Sequence, residues 1–252
     1  PQPQQKVEKY MSSKTTKRAK IQSPNENGSG FIWAIIAVVL VAVAVIAYVI
    51  ISGNKSQEEK FAETYNETTA FNNKVDGSAV QLVSDKADKA KTVDIYEDFS
   101  CHYCADLAKE TDADMKKLIE DGKVKVNIRT MNFLDKGEIG HSNKAGTAAY
   151  TIAKDDSAQV YWNFRTMLMT EQQNIWGKKE LKDFADMAKI LGAKDETVKK
   201  IADGTYSDEF KKIADDNAKK LEKDGDGQVS SPRVFIDGKE IKENTTWPSQ
   251  IK

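Results

Sequence analysis

Cysteine and histidine are nearly missing from this chain, with two of each in 252 residues. A small secreted scaffold stapled by several disulfides is thereby excluded. Structural zinc is a poor fit as well, because both cysteines share one Cys-X-X-Cys, there is no second pair, and His141 is the only distant candidate ligand. Net charge is also lacking: 38 Lys plus Arg against 39 Asp plus Glu leave −1. No wholesale polyanion binder looks like that, so nucleic acid is not an expected partner. Proline is scarce too, five residues in all, and Pro232 stands alone between Pro24 and Pro248.

Against these absences stands one long apolar run. Phe31 to Ile51 is 21 residues without a charge, and at about 1.5 Å per residue a helix of that length spans roughly 31 Å, the thickness of a bilayer's hydrocarbon. It exceeds the apolar core of a cleaved signal peptide, and Ile50-Ile51-Ser52-Gly53 offers no small-X-small cleavage site. Residues 31–51 are therefore expected to be one transmembrane helix. Lys6, Lys9, Lys14, Lys17, Arg18 and Lys20 precede it against only Glu8 and Glu26, whereas acidic residues outnumber basic ones after it. The positive-inside rule then leaves the N-terminus in the cytoplasm and exports residues 52–252. Residues 1–30 have too few large apolar side chains to bury a core and read as a disordered cytoplasmic tail, with Met11 a candidate start. Residues 52–78, polar with spaced Phe61, Tyr65, Phe71 and Val75, read as a linker or stalk helix.

From residue 79 the pattern is that of a folded domain. Ala79 to Val83, Thr92 to Phe99 and Val124 to Met131 are short β-prone runs. Between the last two, Cys104, Ala108, Thr111, Met115, Leu118 and Ile119 keep a helical period that stops at Asp121-Gly122. Strand, helix and strand make a βαβ unit with the dithiol at the carboxyl end of its first strand, the edge where open α/β sheets do their chemistry. Amphipathic segments at Ala145 to Ala153, Val160 to Met169, Leu181 to Leu191, Val198 to Ala202 and Phe210 to Leu221 predict a helical region. Arg233 to Ile236, Asp237-Gly238 and Glu240 to Ile241 then read as a β-hairpin.

The chemistry lies in Ser100-Cys101-His102-Tyr103-Cys104. A disulfide closing so short a loop constrains the unfolded chain little, so redox exchange explains the pair better than stapling does. Cys101, at or just before the helix N-terminus, faces unpaired N–H groups that stabilise a thiolate; Cys104, one turn on, resolves the mixed disulfide that Cys101 forms. A protonated His102 would add to that stabilisation, while Asp106 and Glu110 oppose it. Pro232 opens a strand, where proline otherwise removes a ladder donor. A cis Ser231-Pro232 bond facing the dithiol would offer free backbone groups to an extended substrate, with Tyr103, Ser231 and Arg233 as the substrate-binding residues around it. Glu97 or Asp98 is the candidate proton acceptor for Cys104. His141 reads as a cap or a satisfied polar residue.

These residues resemble the DsbA-like branch of the thioredoxin superfamily. The resemblance runs from about 79 to 246 and rests on Asp98 to Cys104, on Phe133-Leu134 with His141-Ser142 and Ala145 to Ala149, on Trp162, Phe164 and Leu168, and on Ser230 to Gly238. It implies a thioredoxin fold with an inserted all-helical domain at about 134–227, preceded by the transmembrane helix, as in the membrane-tethered actinobacterial type. It further implies a disulfide oxidase acting on unfolded secreted proteins, with no bound cofactor beyond the Cys101-Cys104 pair and with a quinone-linked membrane partner that reoxidises it. The family's usual Pro-His dipeptide is His102-Tyr103 here, Ile95 stands where many members carry a buried Glu, and only six residues follow Thr246. An extracytoplasmic reductase or isomerase, and a tethered binding or chaperone module with an incidental dithiol, are the alternative functions.

Overall fold

Two parallel strands, β3 (Lys91–Glu97) and β4 (Val124–Thr130), form the centre of a six-stranded sheet, joined by the helix α2 (His102–Glu120). This computed structural model describes residues 57–251 together with Ile36, Ala37 and Val41. The expected tail at 1–30, the anchor at 31–51 apart from those three residues, and the start of the stalk at 52–56 lie outside the described residues. Among the described residues no helix is long and apolar enough to cross a membrane.

The sheet order is β1-β2-β4-β3-β5-β6, with β1 (Asn72–Asp76), β2 (Ala79–Val83), β5 (Arg233–Ile236) and β6 (Lys239–Glu240), and every pairing except β3 with β4 is antiparallel. Central β3 and β4 carry Val93, Ile95, Val126 and Ile128, all buried, because helices cover both their faces. β3 stops at Glu97 since Asp98 turns the chain, its carboxylate accepting the Ser100 N–H at 2.9 Å. The β5–β6 hairpin is as expected, with Asp237 (φ 48°) and Gly238 (φ 79°) supplying the two positive φ values of a type I′ turn.

One expectation needs correction. The segment assigned to a stalk contains α1 (Gln57–Thr64) and then β1, which pairs with β2 across the two-residue turn Gly77-Ser78. Tyr65 and Phe71 are buried in the main core, so the folded unit begins well before residue 79.

Between β4 and β5 come the helices of the insertion: α3 (His141–Asp155), α4 (Ala158–Thr170), the short α5 (Gln172–Ile175), α6 (Leu181–Ile190), α7 (Asp195–Ala202) and α8 (Ser207–Asp224). Helix α3 is their hub, packing on α4, α6, α7 and α8, and its Ala and Gly residues permit that crowding. At Gly146 a Cβ would stand 2.0 Å from the Phe210 ring, so a side chain is excluded there. Helix α4 packs on α2, as does the 3₁₀ helix Asn244–Gln250 through its fully buried Trp247. The insertion thus braces the helix that carries the dithiol.

Candidate active site

The strand β3 delivers the chain to its edge, Asp98 turns it, and Cys101 becomes the N-cap residue of α2 with extended backbone (φ −86°, ψ 112°). No side chain caps this helix, so its first N–H groups are available to the cysteine sulfur. Both cysteines are free thiols and both are buried. The Cys101 thiol donates to the Ser231 carbonyl at 3.4 Å, and the Ser231–Pro232 peptide bond is cis. The lone proline of the domain's β region therefore stands against the dithiol.

These surroundings separate the two sulfurs. A hydrogen bond from Cys104 holds Cys101 down to about 6 against the pull of burial, with Ser231 and the N–H groups of Cys104 and Tyr103 contributing further. Burial, followed by the adjacent Cys101 sulfur, pushes Cys104 well above the ordinary thiol range. At pH 7 the Cys101 sulfur is therefore mainly thiolate and the Cys104 sulfur a thiol, which makes Cys101 the nucleophile and Cys104 the resolving group. The Ser231 hydroxyl is buried with no hydrogen-bond partner, which leaves its proton free to rotate toward a thiolate.

The remaining expected site residues divide into two groups. His102 and Tyr103 are exposed beside the dithiol, their rings 3.9 Å apart. On the His102 side an open groove of about 590 Å³ runs between α2 and the α4–α5 junction, and on the other side a groove of about 570 Å³ is lined by Tyr103, Leu107, Pro232 and Asn244. Arg233 turns elsewhere: it is buried and paired with Glu240 and with Asp226 at 3.1 Å. Glu97 is likewise engaged, gripped by Arg165 through Nε at 3.0 Å and Nη2 at 2.6 Å. Asp98 is wholly buried under the loop, and burial raises its carboxyl to about 6 although the Ser142 hydroxyl (2.5 Å) and the N–H groups of Ser100 and Leu134 oppose the rise.

His141 is neither a cap nor satisfied. The Asp135 carboxylate takes the N–H groups of Ser142 and Asn143 at the start of α3, while both His141 ring nitrogens are buried without partners beside Phe184. Burial holds this imidazole down to about 4, hence neutral.

Two residues that bear on the site carry no local signal. Arg165 joins Glu97 to Asp112 (2.7 Å), and Gln172 donates to the carbonyls of Phe99 (2.8 Å) and Cys101 (3.0 Å). Composition hints at the first: the folded unit uses lysine almost throughout, yet Arg129, Arg165 and Arg233 are its only arginines, and all three sit in ion pairs of low exposure.

A sequence model of the thioredoxin family matches residues 80–250. The chain belongs to the thioredoxin family. Within it, the chain is 97% identical to the MdbA protein, a thiol-disulfide oxidoreductase from Corynebacterium matruchotii, whose solved structure covers 79% of this chain and is itself covered fully, at a TM-score of 0.78. The MdbA protein of Corynebacterium diphtheriae is 49% identical over 77% of this chain and 99% of that one, at 0.74. DsbA from Mycobacterium tuberculosis, 22% identical over 66% of this chain and 85% of its own, shares the fold at 0.55. No curated protein matches. This member of the thioredoxin family is a thiol-disulfide oxidoreductase of the MdbA type.

Proposed function

We propose that this oxidoreductase works as an oxidase, anchored in a membrane by residues 31–51, that introduces disulfide bonds into secreted proteins outside the cytoplasm. The observation that carries the direction of the reaction is the division between the two sulfurs. Holding Cys101 as a thiolate stabilises the reduced pair, and whatever stabilises the reduced form makes the disulfide a stronger oxidant. A client thiolate attacks Cys101 of the disulfide and Cys104 leaves as the thiolate, taking a proton. A second client thiolate then attacks the client sulfur of the mixed disulfide, and Cys101 departs as a stable thiolate. The client has lost two electrons and the active site has gained them. They pass onward to a quinone-linked membrane reoxidase, so the chain itself needs no bound cofactor.

The grooves on either side of Cys101, with exposed Tyr103 between them, suit an extended polypeptide rather than a folded surface. The anchor and its orientation rest on the uncharged run and on the six basic residues before it. The test uses intact cells stripped of their wall. Added protease is expected to digest residues 57–252, and reduced, unfolded secreted protein added outside is expected to gain disulfides at a rate that depends on the chain. Protection of the domain until the cells are lysed would contradict the reading.

A further inference from the structure

We propose that Gln172, a residue of the helical insertion, is a positioning residue of the dithiol: its side-chain amide holds the carbonyls of Phe99 and Cys101 and keeps the first N–H groups of α2 aimed at the Cys101 sulfur. The amide is buried, and its nitrogen lies 2.8 Å from one carbonyl oxygen and 3.0 Å from the other. Two acceptors can be met only by the NH₂ end, so the orientation of the amide is fixed by its partners, and both of its hydrogens are used.

The Cys101 carbonyl matters because of what else it accepts. The Cys104 N–H reaches it at 3.0 Å and the Ala105 N–H at 3.3 Å, yet the Cys104 N–H also faces the Cys101 sulfur. Gln172 supplies that carbonyl with a donor from outside the helix, which releases the Cys104 N–H to be shared with a thiolate. Donation to the carbonyl also polarises the Cys101–His102 peptide, whose N–H opens the helix. The second bond, to Phe99, ties the end of the β3 edge to the same nitrogen, so residues 99 and 101 cannot move apart. The clamp is anchored in turn: Gln172 begins α5, Ile175 is buried, and the neighbouring Glu171 accepts the Tyr65 hydroxyl at 2.8 Å. By this route the insertion and the segment after α1 reach the reacting sulfur.

The test is made on the full chain. Gln172→Met keeps the length and removes both donors. The pH midpoint for alkylation of Cys101 is expected to rise by about one unit, and the equilibrium with glutathione to move about tenfold toward the disulfide form. Gln172→Glu keeps the shape but sets a carboxylate against two carbonyls and the thiolate, and its shift is expected in the same direction and larger. A folded variant that loses thermal stability while its midpoint and glutathione equilibrium stay unchanged would assign Gln172 to packing alone and overturn the proposal. In the unaltered chain, nitrogen-15 spectra should show slowly exchanging Gln172 side-chain protons whose positions differ between dithiol and disulfide forms. Rapid exchange with water, or identical positions in both forms, would overturn it as well, whatever the variants do.

Discussion

Cys104→Ser turns the enzyme into a trap. With no resolving thiol, the Cys101 thiolate still attacks a disulfide-bearing partner, and the resulting mixed disulfide loses its intramolecular escape through Cys104, so it is reopened only by slower attack of a thiolate from the partner. Turnover is expected to fall by about a thousandfold or more, as when one member of a reacting unit is removed. Adducts that vanish on reduction should accumulate on non-reducing gels. Cys101→Ser gives the same loss of turnover with no adducts, since Cys104 is buried and its thiol is held protonated. In the unaltered enzyme, alkylation of Cys101 should rise with pH through a midpoint of about 6, and it should do so with Cys104 still protonated. Adducts formed equally through Cys104 would contradict the division of roles.

Arg165→Met is expected to cost about 3 to 5 kcal/mol of stability, because it strands the buried Glu97 carboxylate and removes the partner of the partly buried Asp112. Arg165 is wholly buried, bidentate on Glu97 and bonded to Asp112. Even with the cation present, burial raises Asp112 to about 6. Without it, the Asp112 carboxyl would bind a proton still more readily in the folded than in the unfolded chain, because the Arg165 charge that opposes the rise is gone. The deficit should therefore shrink as the pH falls from 7 toward 5, because a folded state that takes up more protons gains stability as protons become available. Urea denaturation at the two pH values measures this. Replacing all three together, Glu97→Gln and Asp112→Asn with Arg165→Met, should restore much of the loss. A deficit below about 1 kcal/mol for the single variant, in the range of an exposed pair, would show that the triad is not buried as described.

Local signals made the reacting groups legible in the sequence. The Cys-X-X-Cys, the helical period behind it and a solitary proline opening a strand each occupy a few neighbouring residues, and each appears where the pattern puts it. The five amphipathic segments were readable for the same reason. The strand Asn72–Asp76 was not, since Val75 is its one apolar residue: it is a polar edge strand recruited by its hairpin with β2, and no alternation marks it. Arg165 lies 53 and 68 residues from the two carboxylates it holds and Gln172 lies 71 and 73 from its two carbonyls, so no local pattern links them to the site and the scarcity of arginine is the one hint, for Arg165 alone. Glu97 shows the cost of proximity as a guide, because its nearness in sequence to Cys101 suggested proton transfer whereas its carboxylate is spent on Arg165. His141, polar and at a helix start, looked like a cap; Asp135 does that work from the preceding turn.

The account stands most directly on the reduction potential of the Cys101–Cys104 pair, measured by equilibrating the full chain with glutathione buffers. A Cys101 at about 6 lies between the strongest oxidases and thioredoxin in thiolate character. The expected potential is around −120 to −190 mV, on a scale where DsbA stands near −120 mV and thioredoxin near −270 mV. A value close to that of thioredoxin would contradict the oxidase and make the enzyme a reductase.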